Sequence, residues 1–367
     1  MTKKNISSDN PILPCAFFND TTSQLNWGCH ATSFFTKKAL YDNGFRIMVN
    51  LTLHESMHDV NIAHFLTKVD ALNIKHVFIN GEGSLYEQDD LKGLQMIKVI
   101  NSLKNKSGVN TLLINSGFDL YREESLNTFR ECLTNNHNLR VQLREPLSLQ
   151  NFSNHFEHKA ILQPDFLFSV DSSFYREREK ILENWNLKER DFIVIGGNSN
   201  YYRNDRPAYD AINSYRDFIL RIKSASRKKI LIYAASEEEI WWLNRIATAC
   251  DCEFISVDKV SWQDALIILG SAYISISGRY HPTLMSLAQG VPSMMFSANH
   301  CKMNGINQMF DLPDAVIDSH KIHLNYDAIS NYVIALDDPL TYNTYHKHIK
   351  NKVLELKKLL KIESPVN

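Results

Sequence analysis

Short apolar runs alternate with amphipathic segments along almost the whole chain, and this alternation leaves few folds open to it. In the first half the runs are apolar at most positions, as parallel strands buried on both faces are. We predict strands at 12–18, 46–52, 76–80, 111–116 and 139–143, and helices at 31–41, 59–72, 91–103 and 124–133. Strands that alternate with helices predict right-handed crossovers and a doubly wound parallel sheet.

The second half repeats this order after a charged, helical stretch at 171–190. We predict strands at 191–197, 229–235, 253–257, 273–277 and 293–297, and helices at 208–222, 237–249, 262–269 and 282–289. The pattern indicates an α/β protein of two Rossmann-like, doubly wound domains that face each other across a cleft. We expect the N-terminal domain at 1–185, the C-terminal domain at 186–335 and a terminal helical segment at 336–367.

Charge and composition exclude several classes of protein. The chain of 367 residues has 40 basic and 41 acidic side chains, a formal net charge of -1, so it lacks the global positive field of a nucleic-acid binder. Its N-terminus is polar and no apolar run reaches the roughly 18–20 residues of a membrane span. The six cysteines are scattered. We expect a cytoplasmic protein whose cysteines are reduced.

The end of the chain, residues 342–362, has the pattern of a basic amphipathic helix. Its apolar stripe consists of Ile349, Val353, Leu356 and Leu360. Such a stripe most often faces a protein core, so we predict a terminal helix that packs on the body of the protein. The alternative is a peripheral contact with anionic lipid at the inner face of the membrane.

Two loops of the first half follow predicted strands, where ligands of such sheets bind. In the segment 26–33, Asn26 and Gly28 precede a helix, whose N-terminal N–H groups could bind phosphate or carboxylate. The alternative, favoured by these residues alone, is a plain turn between strand and helix. In the segment 80–86, Gly81 and Gly83 flank Glu82 and let the backbone approach a ligand. Glu82 is either a general base or hydrogen-bonding group for a sugar hydroxyl, or a solvated turn residue.

Two further strand ends carry candidate binding groups. Arg144 ends a predicted strand and is placed to bind an anion bidentately, although pairing with Glu145 is an alternative. Gly197 and Asn198 end the first strand of the second half and combine glycine with a polar side chain, as the segment at 26–28 does.

The segment 275–292 is the most informative. Arg279 and His281 follow a predicted strand, and Pro282 stands where a helix tolerates proline best, at its start. A fixed cation and a titratable imidazole at a helix N-terminus suit an anionic substrate that needs a proton. The alternative is that both side chains only bind carboxylates of the other domain. Lys302, further along, could add charge to the same pocket.

A match to the zinc-binding pattern H-E-x-x-H occurs at 54–58. It falls between a predicted strand and a helix that we expect to begin near Asp59, so His54 and His58 would not share a helix face. We therefore predict no metal site.

Taken together, the loops resemble the polysaccharide pyruvyl transferase family over about 26–312. The family's motifs are matched by the segment Asn26-Trp27-Gly28, the glycine-rich segment at 80–86, the pair Pro164-Asp165 and two longer elements. The longer elements consist of Arg144, Glu145 and Ser148, and of Ser277, Arg279, His281, Ala288, Gly290 and Pro292 followed by Lys302. Cys29 departs from the pattern at a position where an acid is common, and Asn80-Gly81-Glu82-Gly83 replaces a plainer glycine run.

The resemblance implies a fold similar to GT-B glycosyltransferases and transfer of pyruvate from phosphoenolpyruvate to a saccharide, as a cyclic ketal. It implies His281 as the acid that protonates the donor and Glu82 as the base for the acceptor hydroxyl. The expected donor-binding residues are Arg279, Lys302, Arg144, Ser277, Gly278, Tyr280, Gly197 and Asn198, and the expected acceptor-binding residues are Asn26, Gly28, Gly81 and Gly83. We expect phosphoenolpyruvate as donor substrate, no cofactor and no metal.

Two other functions are compatible with the same residues. One is a GT-B-type glycosyltransferase that uses a nucleotide sugar in surface polysaccharide synthesis. The other is a sugar-phosphate binding protein without catalysis, in which Arg279 and His281 only hold a ligand.

Overall fold

A computed structural model describes residues 12–87, 93–104, 106–202, 208–312 and 316–362. The first half forms a parallel sheet of six strands in the order β2-β1-β3-β4-β5-β6. Its strands are β1 (Leu13–Asp20), β2 (Phe45–Thr52), β3 (His76–Tyr86), β4 (Asn110–Asp119), β5 (Leu139–Leu143) and β6 (Ala160–Leu162).

The second half forms a parallel sheet of five strands in the order β11-β10-β7-β8-β9. Its strands are β7 (Phe192–Asn198), β8 (Lys229–Ala234), β9 (Glu253–Ser256), β10 (Ile274–Gly278) and β11 (Ser293–Met295). The prediction of a two-sheet, doubly wound α/β fold is confirmed. The domain boundary at 185/186 stays a prediction, although it falls between the last strand of one sheet and the first strand of the other.

Helices connect the strands of both sheets. In the first half they are α1 (Trp27–Asp42), α2 (Leu53–Ser56), α3 (Asp59–Ala71), α4 (Leu94–Lys104), α5 (Glu123–Leu133), α6 (Pro146–His155) and α7 (Arg178–Asn184). In the second half they are α8 (Ala208–Ala225), α9 (Glu237–Ala249), α10 (Trp262–Ser271), α11 (Tyr280–Leu287), α12 (Lys302–Phe310), α13 (Tyr326–Leu336) and α14 (Pro339–Leu359).

Three element boundaries differ from the sequence prediction in ways that matter for function. Strand β3 continues through the glycine-rich segment to Tyr86, so Glu82 lies in a strand and not in a loop. Helix α11 begins at Tyr280, which places Pro282 inside its first turn. Helix α1 begins at Trp27 because the Asn26 side chain caps it. The predicted helix at 91–103 begins outside the described residues, which resume at 93.

Helix α1 connects the two halves of the molecule, since it follows β1 and packs against α10 and α11. Its first residue, Trp27, is buried, and the indole Nε1 donates a 2.8 Å hydrogen bond to the carbonyl of Val260. The Trp27 N–H also donates to the carbonyl of Ala235, 3.0 Å away. Residues of both sheets therefore share one apolar core around α1.

The terminal helix α14 lies against the body of the protein. Ile349, Val353 and Leu356 of its apolar stripe are buried in the shared core, and Leu360 packs partly buried against it. Lys357 Nζ donates to the carbonyl of Val170 at 2.6 Å. The apolar stripe is thus covered by protein and not available to lipid, as the packing prediction requires. Among the described residues, no helix is both long and apolar enough to span a bilayer.

Candidate active site

In each sheet the strand order reverses between two neighbouring strands. Ligands of such sheets bind at this point, beyond the carboxyl ends of the strands. In the N-terminal sheet this point lies between β1 and β3, and in the C-terminal sheet between β7 and β10. Glu82 lies on the first of these edges, and Arg279 directly follows β10 on the second. The docking of α1 brings the two edges together.

Glu82 is held in a strained and buried conformation. Its φ of 40° lies in the left-handed region that favours glycine, where the register of β3 with β4 is interrupted. The side chain is only 7% exposed and accepts hydrogen bonds from Thr21 Oγ1 and, at 3.0 Å, from Asn80 Nδ2. The solvated-turn alternative is therefore wrong. Strain at a buried carboxylate is typical of functional sites.

Burial sets the protonation of Glu82. It raises the pKa of this carboxyl group above its ordinary value, although His281, Thr21 and Arg144 act to lower it. The Cys29 thiol lies 3.7 Å from Glu82 Oε2, and burial together with this carboxylate raises the pKa of Cys29 as well. Glu82 therefore lies where it can exchange a proton nearer to neutral pH than an exposed glutamate does.

The N-terminus of α1 does not offer the free N–H groups that the sequence suggested. Asn26 Oδ1 accepts from the N–H groups of Gly28 and Cys29, at 2.8 and 3.3 Å. The N–H groups of Trp27 and His30 donate to the carbonyls of Ala235 and Asn26. The expectation of an anion site on this backbone is wrong, because a capping side chain and the other half of the chain already use its donors.

Gly28 instead makes room for His281. A Cβ at Gly28 would lie 2.5 Å from His281 Nδ1 and 2.6 Å from His281 Cβ, which no side chain tolerates. The residue that follows, Cys29, contacts Glu82. The first turn of α1 therefore lies between the two predicted catalytic residues, with Gly28 against His281 and Cys29 against Glu82.

His281 pairs with a carboxylate from the N-terminal half. Its Nε2 lies 3.2 Å from Asp165 Oδ2, and its side chain is 11% exposed. Burial raises the pKa of Asp165, but the hydrogen bond and charge of His281, together with Arg144 and the Leu167 N–H, leave the pKa below its ordinary value. Since Asp165 is then ionised, we assign the Nε2 proton to His281 as the donor, which leaves Nδ1 for proton exchange. A carboxylate in this position orients the ring and stabilises the imidazolium.

Arg279 is engaged within its own half of the chain. Its Nε donates to Glu239 Oε1 and its Nη2 to Ser236 Oγ, both at 2.8 Å. Gly197 leaves the space that the Glu239 carboxylate occupies, since a Cβ there would collide with Oε1. The sequence alternative, a carboxylate partner, therefore applies to Arg279, but the partner is in the same half and not across the cleft. As the N-cap of α11, Arg279 makes no side-chain capping bond.

Arg144 is only 1% exposed and lies where the two halves of the chain meet. Its Nε donates to Glu145 Oε2 at 3.2 Å, and its guanidinium carbon lies 3.8 Å from the centre of the Tyr280 ring. Pairing with Glu145 is thus found, yet it uses only one edge of the guanidinium. Nη1 lies 4.0 Å from Asp165 Oδ2 and makes no hydrogen bond within the described part of the chain. A buried donor without an acceptor is a place for an anion.

Other predicted donor-binding residues serve the fold. Ser277 is fully buried, and its Oγ accepts from the Arg279 N–H at 3.0 Å. Tyr280 is buried and donates to Glu145 Oε2 at 3.3 Å, so it supports Arg144 and Glu145. Asn198 Nδ2 donates to the carbonyl of Ser297 at 2.6 Å. These side chains do not project into open space.

Glycines explain part of the same arrangement. A Cβ at Gly278 would lie 2.6 Å from Asn198 Nδ2, and one at Gly81 would collide with Ser116 Oγ. A Cβ at Gly83 would lie 3.5 Å from Arg144 Nη2, so this glycine lies against the junction. Lys302 begins α12 and donates to Asn299 Oδ1 at 2.7 Å. The binding roles of these residues stay predictions.

The structure also brings in residues that sequence reasoning did not assign to the site. The sequence places Asp165 and Glu145 in motifs without a role, and it carries no signal for Glu239. Nothing local marks their roles, since Asp165 is 116 residues from His281 and Glu239 is 40 residues from Arg279. The zinc-like pattern is not a site: Glu55 forms a capping box with Thr52, and His58 is the N-cap of α3.

Comparison with known sequences and structures places this arrangement in context. The family model of polysaccharide pyruvyl transferases matches residues 9–300. No curated protein matches the chain significantly.

Solved structures share the fold. An S. aureus MnaA–UDP complex is 9% identical, with 96% of this chain and 99% of that chain covered and a TM-score of 0.61. A putative UDP-N-acetylglucosamine 2-epimerase from Listeria monocytogenes is 10% identical, with 96% and 95% covered and a TM-score of 0.60. A UDP-forming trehalose-phosphate synthase from Burkholderia xenovorans is 9% identical, with 96% and 97% covered and a TM-score of 0.59. The fold is thus that of GT-B enzymes.

Proposed function

Because the chain belongs to the polysaccharide pyruvyl transferase family, we propose that it moves pyruvate from phosphoenolpyruvate to a sugar of a cell-surface polysaccharide or its precursor. The product is a ketal that bridges two hydroxyl groups, and inorganic phosphate leaves. The observation that carries the proposal is the convergence of the His281–Asp165 pair and the buried Glu82 on either side of the α1 N-terminus.

The donor carries a carboxylate and a phosphate, so it needs fixed cations. Among the predicted ligands, we now favour Arg144 over Arg279, because Arg144 Nη1 has no hydrogen-bond acceptor in the described structure. Arg279 is already bound to Glu239, and donor binding there requires that this pair be shared or exchanged. The N-terminus of α11 has no side-chain cap and lies next to Arg279, so it also fits an anionic donor. Lys302 is the remaining cation of the proposal.

The proposed reaction uses His281 as the proton donor and Glu82 as the proton acceptor. His281 Nδ1 gives a proton to the methylene carbon of the donor, which leaves an oxocarbenium-like centre at the carbon that bears the phosphate oxygen. A sugar hydroxyl attacks this centre and gives its proton to Glu82. Phosphate then leaves and takes up the proton of the second hydroxyl, which closes the ring, and the proton on Glu82 replaces the one that His281 gave. Asp165 stabilises the His281 imidazolium before the proton transfer and keeps the ring oriented after it.

Access to these groups requires motion. Arg144, Glu82 and His281 are almost closed off from solvent, so substrates reach them only when the two halves separate at α1. Domain closure after binding would exclude water from the oxocarbenium-like centre, where hydrolysis would otherwise yield free pyruvate.

The test is to incubate the protein with phosphoenolpyruvate and candidate envelope saccharides and to measure phosphate release and product mass. We expect a gain equal to pyruvate minus water. His281→Asn should lower the rate by about 10²–10⁴-fold, the usual contribution of a general acid. His346→Asn is the matched control, because His346 bonds the carbonyl of Gly290 on the far side of α11. A His281 variant with wild-type turnover overturns the assignment.

The alternative function is glycosyl transfer from a nucleotide sugar. One observation favours it: the S. aureus MnaA structure, which shares the fold, is a complex with UDP. Ligands that bind the native state raise its melting temperature. Pyruvyl transfer predicts a rise with phosphoenolpyruvate and none with UDP or CMP. The reverse pattern supports the glycosyltransferase, and a rise without phosphate release or sugar transfer supports a binding protein.

A further inference from the structure

Three potential metal ligands meet near Gly83 and Arg144 of the candidate site. Asp119 ends β4 in the N-terminal sheet, and His300 and Cys301 precede α12 in the C-terminal half. One carboxylate oxygen, one imidazole nitrogen and the thiol sulfur all lie within 4.8 Å of one another. All three residues are partly exposed, whereas the two ring nitrogens of His300 are buried.

Neighbouring contacts orient each of these side chains. Asp119 Oδ2 accepts the Cys301 N–H at 2.8 Å, and Asp119 Oδ1 accepts from Asn151 Nδ2 at 3.3 Å. The His300 ring stacks on Tyr86, with ring centres 4.6 Å apart and 24° between the planes. Hydrogen bonds to a ligating carboxylate and a fixed imidazole plane are the supports that metal ligands have in proteins.

The donor set distinguishes among metals. Thiolate sulfur and imidazole nitrogen with one carboxylate oxygen suit Zn²⁺ and related transition ions, whereas Mg²⁺ and Ca²⁺ prefer oxygen ligands alone. Three protein ligands leave one position of a tetrahedral ion for water or another oxygen ligand.

We propose that Asp119, His300 and Cys301 form a site for one divalent transition-metal ion of the Zn²⁺ class. The ion links β4 to the segment before α12 and so connects the two halves of the chain at a second place, apart from α1. The site is separate from the His281–Glu82 pair and does not depend on the transfer of pyruvate.

The site adjoins the anion-binding region without being part of it. A Cβ at Gly83 would lie 3.2 Å from His300 Nε2 and 3.5 Å from Arg144 Nη2, so both side chains approach the same point from two directions. Lys302 follows Cys301 directly. An ion at this site therefore fixes the position of the segment that carries Lys302 relative to Arg144.

The test is a titration of metal-free protein with Co²⁺, which reports thiolate ligation by a near-ultraviolet charge-transfer band and four-coordination by intense visible absorption. We expect one Co²⁺ per chain, bleaching of the spectrum by Zn²⁺, which binds such sites more tightly, and a higher melting temperature with Zn²⁺. Cys301→Ser should remove the charge-transfer band.

Two conservative variants test the other ligands, in case Cys301→Ser perturbs folding. Asp119→Asn and His300→Gln should each weaken Co²⁺ binding by at least about tenfold while the far-ultraviolet circular dichroism stays unchanged. Cys252→Ser is the matched control, since Cys252 is partly exposed, lies next to Cys250 and is the natural place for adventitious binding.

Either of two results overturns the proposal. One is the absence of a thiolate band when Co²⁺ is added to wild-type protein. The other is a band that survives in Cys301→Ser and disappears in Cys252→Ser. Both results leave pyruvyl transfer untouched, since that reaction is measured separately by phosphate release.

Discussion

Gly28 matters to the candidate site because it has no side chain. Alanine is ordinarily preferred to glycine in a helix by about 0.8–1 kcal/mol. At this position, however, the added carbon would lie 2.5 Å from His281 Nδ1. The close approach of α1 to the His281 ring therefore depends on glycine and not on helix propensity.

We predict that Gly28→Ala displaces His281 from Asp165 and abolishes turnover. Its free energy of unfolding should fall and not rise, because the clash outweighs the gain in helix propensity. Phosphate release and urea unfolding check the two expectations. An active and more stable variant would show that His281 has another position open to it.

Glu82 predicts a pH dependence of stability. Burial raises its pKa in the folded protein, so the folded state binds the proton more tightly than the unfolded state does. The stability that this group contributes is present below its ordinary pKa and is lost as pH rises through the raised value. We therefore expect the wild-type protein to lose stability relative to Glu82→Gln as pH increases from the ordinary glutamate range upward, measured by urea unfolding.

Glu55 offers a control of opposite sign. Hydrogen bonds from the backbone and side chain of Thr52 hold the pKa of this exposed carboxyl group below its ordinary value. Its contribution is present above the ordinary pKa and is lost as pH falls through the lowered one. The wild-type protein should thus become more stable relative to the Glu55→Gln variant as pH rises. Parallel curves for the wild type and Glu82→Gln would contradict the buried state of Glu82.

Helix α1 shows how one cap decides what a helix end can do. The Asn26 side chain uses the N–H groups of Gly28 and Cys29, and the carbonyl of Ala235 uses that of Trp27. Helix α11 has no such side-chain cap. The described N-terminus of α11 therefore differs from that of α1 in having no side-chain cap.

We predict that Asn26→Ala lowers the free energy of unfolding by about 0.5–2 kcal/mol, the usual effect of losing an N-cap side chain. Asn26→Asp should retain most of the stability, because a carboxylate accepts the same two N–H bonds. Urea unfolding of both variants is the measurement. Equal losses in the two would indicate that the capping bonds contribute little and that Asn26 stabilises the protein by another route.

Helix α1 contributes to the docking of the two halves of the molecule. Trp27 is almost fully buried and bonds Val260 across the junction, and its ring lies 6.0 Å from that of Tyr233. On the substrate route that we propose, these contacts open, so their strength would bear on both stability and turnover.

We predict that Trp27→Phe destabilises the protein by at least about 1–3 kcal/mol, because the carbonyl of Val260 loses its donor inside the core. Trp241→Phe is the matched control, since that side chain is 52% exposed, and it should change stability by less than about 0.5 kcal/mol. Urea unfolding measures both. If the two variants are equally stable, Trp27 does not anchor the junction.

Much of the architecture follows from local pattern. Strands β5 and β2 and helix α9 lie at or within one residue of the predicted positions, since apolar periodicity is a property of neighbouring residues. The three-residue strand β6 is too short to give such a signal. The extension of β3 through two glycines was missed because glycine ordinarily interrupts strands.

The amino-acid sequence by itself determined the order of elements, the two parallel sheets and the segments that carry Glu82, Arg144, Arg279 and His281. Only the tertiary structure decided which charges meet: Asp165 with His281, Glu239 with Arg279, and Asp119 with His300 and Cys301. The reason is physical. Periodicity reports which face of an element is buried, whereas the partner of a buried charge depends on how elements far apart in the chain pack together, within one half for Glu239 and Arg279 and across the two halves for Asp165 and His281.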